Sequence, residues 1–479
     1  MDAGKKREYE LLELIRTGKP MTWSERLDLI VRLSIPSILA QLSVIVMLYI
    51  DASMVGSLGA NASASIGLVS TTTWLFSGVC TAAATGFSVQ VAHLIGANDP
   101  AGARNVLRQA FSATLLFGLF ASAVGCAVSG SLPGWLGGND AIAPDASRYF
   151  LIYALSLPFL QVNYLSGSML RCSGNMRVPS MLSVLMCVLD VIFNTLLIFP
   201  TRTVHWGGAE VVFPGAGMGV AGAALGTALA VIVTAGLMTC YLWFRSPELA
   251  LGKERGSFRP TAECLRKAVR IGLPIGCEHV ILCGAQILTT VIVAPLGTAA
   301  IAANAVANTT STFLNIPAIA VGMAVLTVVG QCLGAGEKEQ AVWYARRLLL
   351  VAYCGAWVMN LSAFFFADRW ALSWFGLSPE ASAMALEVMM WFNIVSLFFW
   401  PSSFTLPNIL RSAGDASFTM TVSIVSMWVF RVGFCYLWVL KMGGGLLSIW
   451  MGMYLDWAFR SICFTVRFVR GKWLEQKVI

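Results

Sequence analysis

The chain has 479 residues, 57% hydrophobic and 12% charged, with a formal net charge of +8. Soluble domains carry about 25% charged residues, so this composition excludes a water-soluble globular protein and places the chain in lipid. Its twelve cysteines are scattered with no C-x-x-C pair, which argues against a disulfide framework or a zinc centre. Within apolar spans they act as small apolar side chains.

Residues 1–32 hold Lys5, Lys6, Arg7, Arg16, Lys19, Arg26 and Arg32. They read as a cytoplasmic amphipathic arm, and with no apolar h-region no cleavable signal is expected. Twelve spans follow, near 33–54, 64–93, 105–131, 147–171, 178–199, 217–243, 271–294, 302–332, 344–367, 383–411, 417–440 and 445–469. Most reach the roughly 20 residues a spanning helix needs. With the N-terminus inside, 26 of the 32 Lys and Arg fall in cytoplasmic segments. Four (Arg148, Arg202, Arg369, Lys441) lie outside, and Arg431 and Arg460 lie within spans. This bias puts both termini in the cytoplasm of a multi-pass cell-membrane protein. It assigns the net positive charge to topology and anionic lipid rather than nucleic acid.

Arg245–Ala268, with Pro247, Gly252, Arg255 and Pro260, reads as a cytoplasmic linker. It separates an N-lobe at 33–244 from a C-lobe at 269–470, followed by a tail at 471–479. The two lobes are copies of one unit. Pro36, Leu58-Gly59 and His93-Leu94-Ile95-Gly96-Ala97 return 238 residues later as Pro274, Leu296-Gly297 and Gln331-Cys332-Leu333-Gly334-Ala335. Leu170-Arg171-x-x-Gly174-Asn175 returns as Leu410-Arg411-x-x-Gly414-Asp415 at an offset of 240. Six spans per copy give both copies the same orientation, hence an axis along the membrane normal. The expected fold is all-α and polytopic: twelve transmembrane helices in two pseudo-symmetric six-helix bundles around a central cleft.

Ionisable residues inside spans carry the functional information, because a carboxylate at mid-bilayer costs about 2.5–3.5 kcal/mol on insertion scales. Asp51 lies in span 1, Asp190 and Asn194 in span 5 at i,i+4 spacing, and Thr227 in span 6. If these spans meet, they supply an oxygen-rich set for Na⁺, and a carboxylate pair equally suits proton exchange. The alternative is a hydrogen-bonded knot that only locks helices. Glu278 and His279, within a turn of Pro274, are candidates for a C-lobe substrate or ion contact, against a snorkelling or capping role. Arg431, Asp456 and Arg460 read as a structural charge cluster, and His93 as an interfacial polar residue. Trp74, Phe76, Met186 and Trp400 are candidate cleft-lining side chains without assignment. No Walker A, kinase or Rossmann pattern occurs, so no cofactor and no enzyme chemistry is expected; active transport would run on an ion gradient.

These residues carry a family resemblance. Pro36, Gln41, Asp51-x-x-Met54-Val55-Gly56-x-Leu58-Gly59, His93-x-x-Gly96-Ala97-Asn98-Asp99 with Ala103, and Leu170-Arg171-x-x-Gly174-Asn175 match in order and spacing. So do Gly219-Val220-Ala221-Gly222-Ala223-Ala224, Ala294-Pro295-Leu296-Gly297, Gln331-x-x-Gly334-Ala335-Gly336 and Leu410-Arg411-x-x-Gly414-Asp415. Across nearly its whole length the chain resembles a multidrug and toxic compound extrusion (MATE) transporter. The resemblance implies efflux of amphipathic, often cationic compounds in exchange for H⁺ or Na⁺, with the Asp51 position as coupling carboxylate. It also implies that Asp190, Asn194 and Thr227 complete the ion site. Two departures stand out. Asp190 precedes Asn194 where some relatives have the reverse order, and Leu282 occupies a position where another branch carries glutamate. The competing readings are a lipid-linked oligosaccharide or peptidoglycan-precursor flippase of the same superfamily, and a non-transporting receptor or scaffold. A monomer is expected.

Overall fold

A computed structural model describes residues 3–19, 21–206, 209–253, 256–373, 377–476 and 478. Arg255 of the linker and Lys477 of the tail lie outside the described residues. Helix dominates: α1 (Ala3–Arg16), α2 (Trp23–Gly56), α3 (Ala60–Gly96), α4 (Pro100–Val128), a one-turn α5 (Leu132–Trp135), α6 (Ala143–Cys172), α7 (Arg177–Ile198) and α8 (Val220–Phe244) make the first half. The second half holds α9 (Ala262–Val293), α10 (Thr298–Leu314), α11 (Ile316–Gly334), α12 (Lys338–Ser373), α13 (Pro379–Phe404), α14 (Leu406–Ser412), α15 (Ala416–Ser426) and α16 (Leu446–Val469). Among the described residues eleven helices are long and apolar enough to cross a membrane. The helix expected as the twelfth span, α16, is interrupted in its apolar run by Asp456 and Arg460. Large side chains such as Leu116, Phe120 and Phe365 are exposed on the helix surfaces, as bilayer-facing residues are.

Two expectations are corrected by local chemistry. The first span starts well before residue 33, because Thr22 and Glu25 form a capping box. The Thr22 N–H donates to Glu25 Oε2 at 3.0 Å and the Glu25 N–H to Thr22 Oγ1 at 3.3 Å, satisfying two orphan donors of α2. The eighth and tenth spans are each two helices. Pro317 and Pro407 cannot donate to the carbonyls four residues back, so the chain breaks at Asn315 and Thr405. The segment after span 5 forms a hairpin, β1 (Pro200–Trp206) paired antiparallel with β2 (Ala209–Ala216) in the register Arg202↔Phe213 and Val204↔Val211.

The landmarks shared by the two copies are helix ends. After α3 the N–H of Asp99 closes on the Leu94 carbonyl at 2.9 Å with Asn98 at φ 58°. After α11 the N–H of Glu337 closes on Cys332 at 2.9 Å with Gly336 at φ 78°. Both are Schellman-type caps that need a left-handed residue. The helix ends also meet reciprocally. A Cβ at Gly96 would overlap the Gln331 backbone, and one at Gly334 the His93 backbone; His93 and Gln331 are themselves repeat partners.

Two compact units divide the chain. One comprises Leu39–Val91 and Pro100–Ala268; the other Met1–Ile38, Ala92–Asp99 and Val269–Ile479. In the first, the stretch read as linker is tied down: Gln109 Oε1 accepts from the Thr261 N–H and hydroxyl at 2.8 and 2.9 Å. In the second, the arm is docked by its apolar face. Leu11, Leu12 and Ile15 are buried, and Arg16 Nε donates to Gln331 Oε1 at 3.3 Å.

Candidate cation site

α7 carries Asp190 and Asn194 one turn apart, both at 0% exposure. α8 lies against that face because Gly222 and Gly226 leave room for it. A Cβ at Gly226 would strike Asn194 Oδ1, and one at Gly222 the backbone of Leu197; such small-residue stripes let membrane helices approach closely. α2 brings Asp51 to the same place. Asn194 Nδ2 then donates to Asp51 Oδ1 at 2.8 Å and to Asp190 Oδ2 at 3.1 Å. An amide nitrogen has two hydrogens, so its donating capacity is spent on the two carboxylates.

The oxygens left over define the chemistry. Asp190 Oδ1 and Asn194 Oδ1 are buried and accept no hydrogen bond. Thr227, half-buried on α8, lies in polar contact with the Asp190 carboxyl, as does Asp51. Among the described residues neither aspartate forms an ion pair. Buried acceptors without donors are costly, and two carboxylates beside one amide repel one another. A monovalent cation satisfies both: a proton on one carboxyl, or Na⁺ among hard oxygens. All four residues expected at an ion site are therefore brought together. Sequence reasoning missed Tyr149, which packs against the apolar cluster of Val55, Ala62, Ile198, Val220 and Ala223 and neighbours both carboxylates. Its position at the start of the fourth span gave no signal.

Glu278, His279, His93, Arg431, Asp456 and Arg460 lie in the second unit. Glu278 Oε2 is paired with Arg411 Nη2 at 2.6 Å, and Arg411 also donates to Asn408 Oδ1 at 3.2 Å. His279 lies beside it on α9 and is not part of that pair. Asp456 Oδ2 accepts from Arg460 Nη2 at 2.8 Å, and its other oxygen accepts from the Ser426 hydroxyl. Arg431 sits in π-helical turns, Met427–Phe434, where an α-helix was expected. His93, read as interfacial, is buried and held by the Ser412 carbonyl at 2.7 Å from Nε2. Of the lining candidates, Trp400 stacks on Phe404 at 4.6 Å and Phe76 packs edge-on against Phe150. Trp74 is exposed, and Met186 is half-buried on α7.

Comparison with known proteins bears on the family. The MatE family model matches residues 36–196 and 274–437. A probable multidrug resistance protein NorM of Thermotoga maritima is 24% identical over 435 residues, covering 90% of this chain and 89% of that protein. The NorM of Pseudomonas putida is 25% identical over 455 residues, covering 92% and 94%. A solved outward-facing MATE transporter of the MOP superfamily superposes with a TM-score of 0.83 at 20% identity, over 97% of this chain and 99% of that one. With both halves of the chain matched by one family model and the fold shared end to end, the chain belongs to the MatE family of multi-pass membrane transporters and is not an enzyme.

Proposed function

We propose that this transporter exports drug-like small molecules, amphipathic and cationic in character, in exchange for a monovalent cation bound by Asp51, Asp190, Asn194 and Thr227. The observation that carries the reading is the single Asn194 amide shared by two carboxylates, with two buried acceptor oxygens left over and no basic partner among the described residues. A permanently locked knot would have its acceptors filled; this one is complete only with a cation. The names of the NorM relatives support the substrate class, and no ATP-binding motif in the sequence points to another energy source. In this reading residues 33–244 and 269–470 are the two lobes of an alternating-access cycle. Both termini are cytoplasmic in the cell membrane. Cation loading at Asp51 from outside releases substrate.

The test is flux in proteoliposomes of the purified chain, with a fluorescent organic cation and either a pH or a Na⁺ gradient imposed. One gradient is expected to drive export, and Asp51→Asn to remove that drive. Unchanged gradient-driven export in Asp51→Asn would sink the assignment.

A further inference from the structure

The charges buried in the second unit do not balance. Arg431, Asp456 and Arg460 are 6%, 0% and 3% exposed, and Arg431 and Arg460 sit near the middle of their membrane-length segments. Arg431 is an electrostatic neighbour of both Asp456 and Arg460. The one anion among the three is already occupied. One of its oxygens accepts from Ser426, and the other from Arg460 Nη2 at 2.8 Å. The Arg431 side chain makes no hydrogen bond among the described residues, and its buried Nε is without an acceptor. Arg460 Nε is likewise unpartnered, although the guanidinium lies over the Phe404 ring at 4.8 Å. The indole N–H of Trp457, next to Asp456 on α16 and edge-on to Phe404 at 5.9 Å, is a third buried donor with no acceptor.

This is the converse of the Asp51 site: surplus donors and one surplus positive charge, where that site has surplus acceptors. A guanidinium left unpaired at membrane depth is costly, and the cost is removed by an anion that only accepts. The backbone is irregular at the same place. The π-helical turns Met427–Phe434 surround Arg431, and such insertions are frequent at functional sites.

We infer that Arg431, Arg460 and Trp457 form a binding site for a small monovalent anion, a halide or a carboxylate group, with Asp456 as the internal counter-charge that sets its affinity. Burial of all three donors, two of them beside the Phe404 ring, favours a small ion or a single carboxylate over a bulky anion. The site is independent of the cation site and stands even if the coupling proposed at Asp51 fails.

The experiment is thermal unfolding of the purified full chain in detergent. Chloride is titrated against bulky gluconate at constant Na⁺ and ionic strength, with an acetate arm in parallel. The wild-type midpoint is expected to rise saturably with chloride. An acetate titration that displaces chloride assigns the site to carboxylate groups, and one without effect assigns it to halides. Asp456→Asn, which removes the internal anion, is expected to lower the half-saturating concentration at least about tenfold. Arg431→Gln is expected to abolish the saturable response while unfolding at a higher temperature than wild type in gluconate. A structural cluster would lose stability in both variants with no opposite shift in anion affinity. A linear wild-type response, an identical response in Arg431→Gln, or no tightening in Asp456→Asn would overturn the inference. Should Arg431→Gln not fold, Arg431→Lys keeps the charge and must retain the response at a shifted concentration.

Discussion

The two copies share helix ends but treat their buried carboxylates in opposite ways. In the second copy acidic side chains are spoken for by arginine: Glu278 by Arg411 at 2.6 Å, Asp456 by Arg460 at 2.8 Å and Asp415 by Arg467 at 2.8 Å. Among the described residues Asp51 and Asp190 of the first copy pair with no arginine and share the amide of Asn194. The positions matching them in the second copy confirm the divergence. Thr289, opposite Asp51, turns its hydroxyl onto its own helix at Ala285 O, 2.8 Å away. Phe430 and Phe434, opposite Asp190 and Asn194, pack against Phe459 and Trp438 at 5.3 and 4.5 Å between ring centres. A carboxylate with a fixed cation is a structural tie; one without is available to a mobile cation. Under the proposed function, the comparison separates tied acids from exchanging ones within a single repeated scaffold.

The largest effect is expected at Asp51. Asp51→Asn keeps a hydrogen-bonding oxygen but deletes the charge, so gradient-driven export should fall to that of empty vesicles while the protein still folds. Retained export would show that the first copy's acids are ties after all. Next comes Gly226→Ala. Its new methyl would displace Asn194 Oδ1, and a misplaced ligand should weaken the coupling cation by about tenfold, or ~1.4 kcal/mol. The check is the half-saturating concentration of H⁺ or Na⁺ for transport. Gly284→Ala on α9 is the control, since a Cβ there meets nothing within 4 Å, and it should leave that value unchanged.

The scaffold half of the comparison is tested at the crossing of α3 and α11. Gly96→Ala and Gly334→Ala each drive a methyl into the partner's backbone. Overpacking of this kind costs about 1–3 kcal/mol. Because the contact is reciprocal, the two variants should lose stability to within about 0.5 kcal/mol of each other, read from their unfolding midpoints. Export per folded molecule should change little. Unequal losses would mean that the symmetry seen in the caps does not extend to packing.

The symmetric part was the legible part. The Gly-Ala pairs at 96–97 and 334–335 and the Leu-Arg-x-x-Gly runs recur at helix ends of both copies, where a left-handed cap and a close crossing each demand a small or special residue. Asp51, Asp190 and Asn194 stood out because polar groups in apolar runs are expensive, and the i,i+4 spacing put two of them on one face. Their meeting through one amide was not legible, since it depends on how closely α8 approaches α7. Arg411 entered the sequence reading within the Leu-Arg-x-x-Gly signature, and Glu278 as a candidate C-lobe contact. Their pairing joins residues 133 positions apart, and no periodicity encodes that. The capping box at Thr22 and Glu25 was legible in principle, but the search for an apolar run starts only where the run does.

The smallest effect on transport is expected at Glu278, and it separates the two treatments of acid most sharply. Both partners are largely buried, at 14% and 17% side-chain exposure for Glu278 and Arg411. Glu278→Gln leaves the guanidinium without its charge partner, though still bonded to Asn408 and Thr419, so the loss should be about 1–3 kcal/mol. The double variant Glu278→Gln/Arg411→Gln should cost less than the two single ones together, the signature of a coupled pair. Gradient-driven export by the folded Glu278→Gln protein should stay within about twofold of wild type, because a carboxylate neutralised by a fixed arginine has no charge to lend to a passing cation. If export instead collapses as it does in Asp51→Asn, the arginine is a gate rather than a tie. Both copies would then take part in coupling.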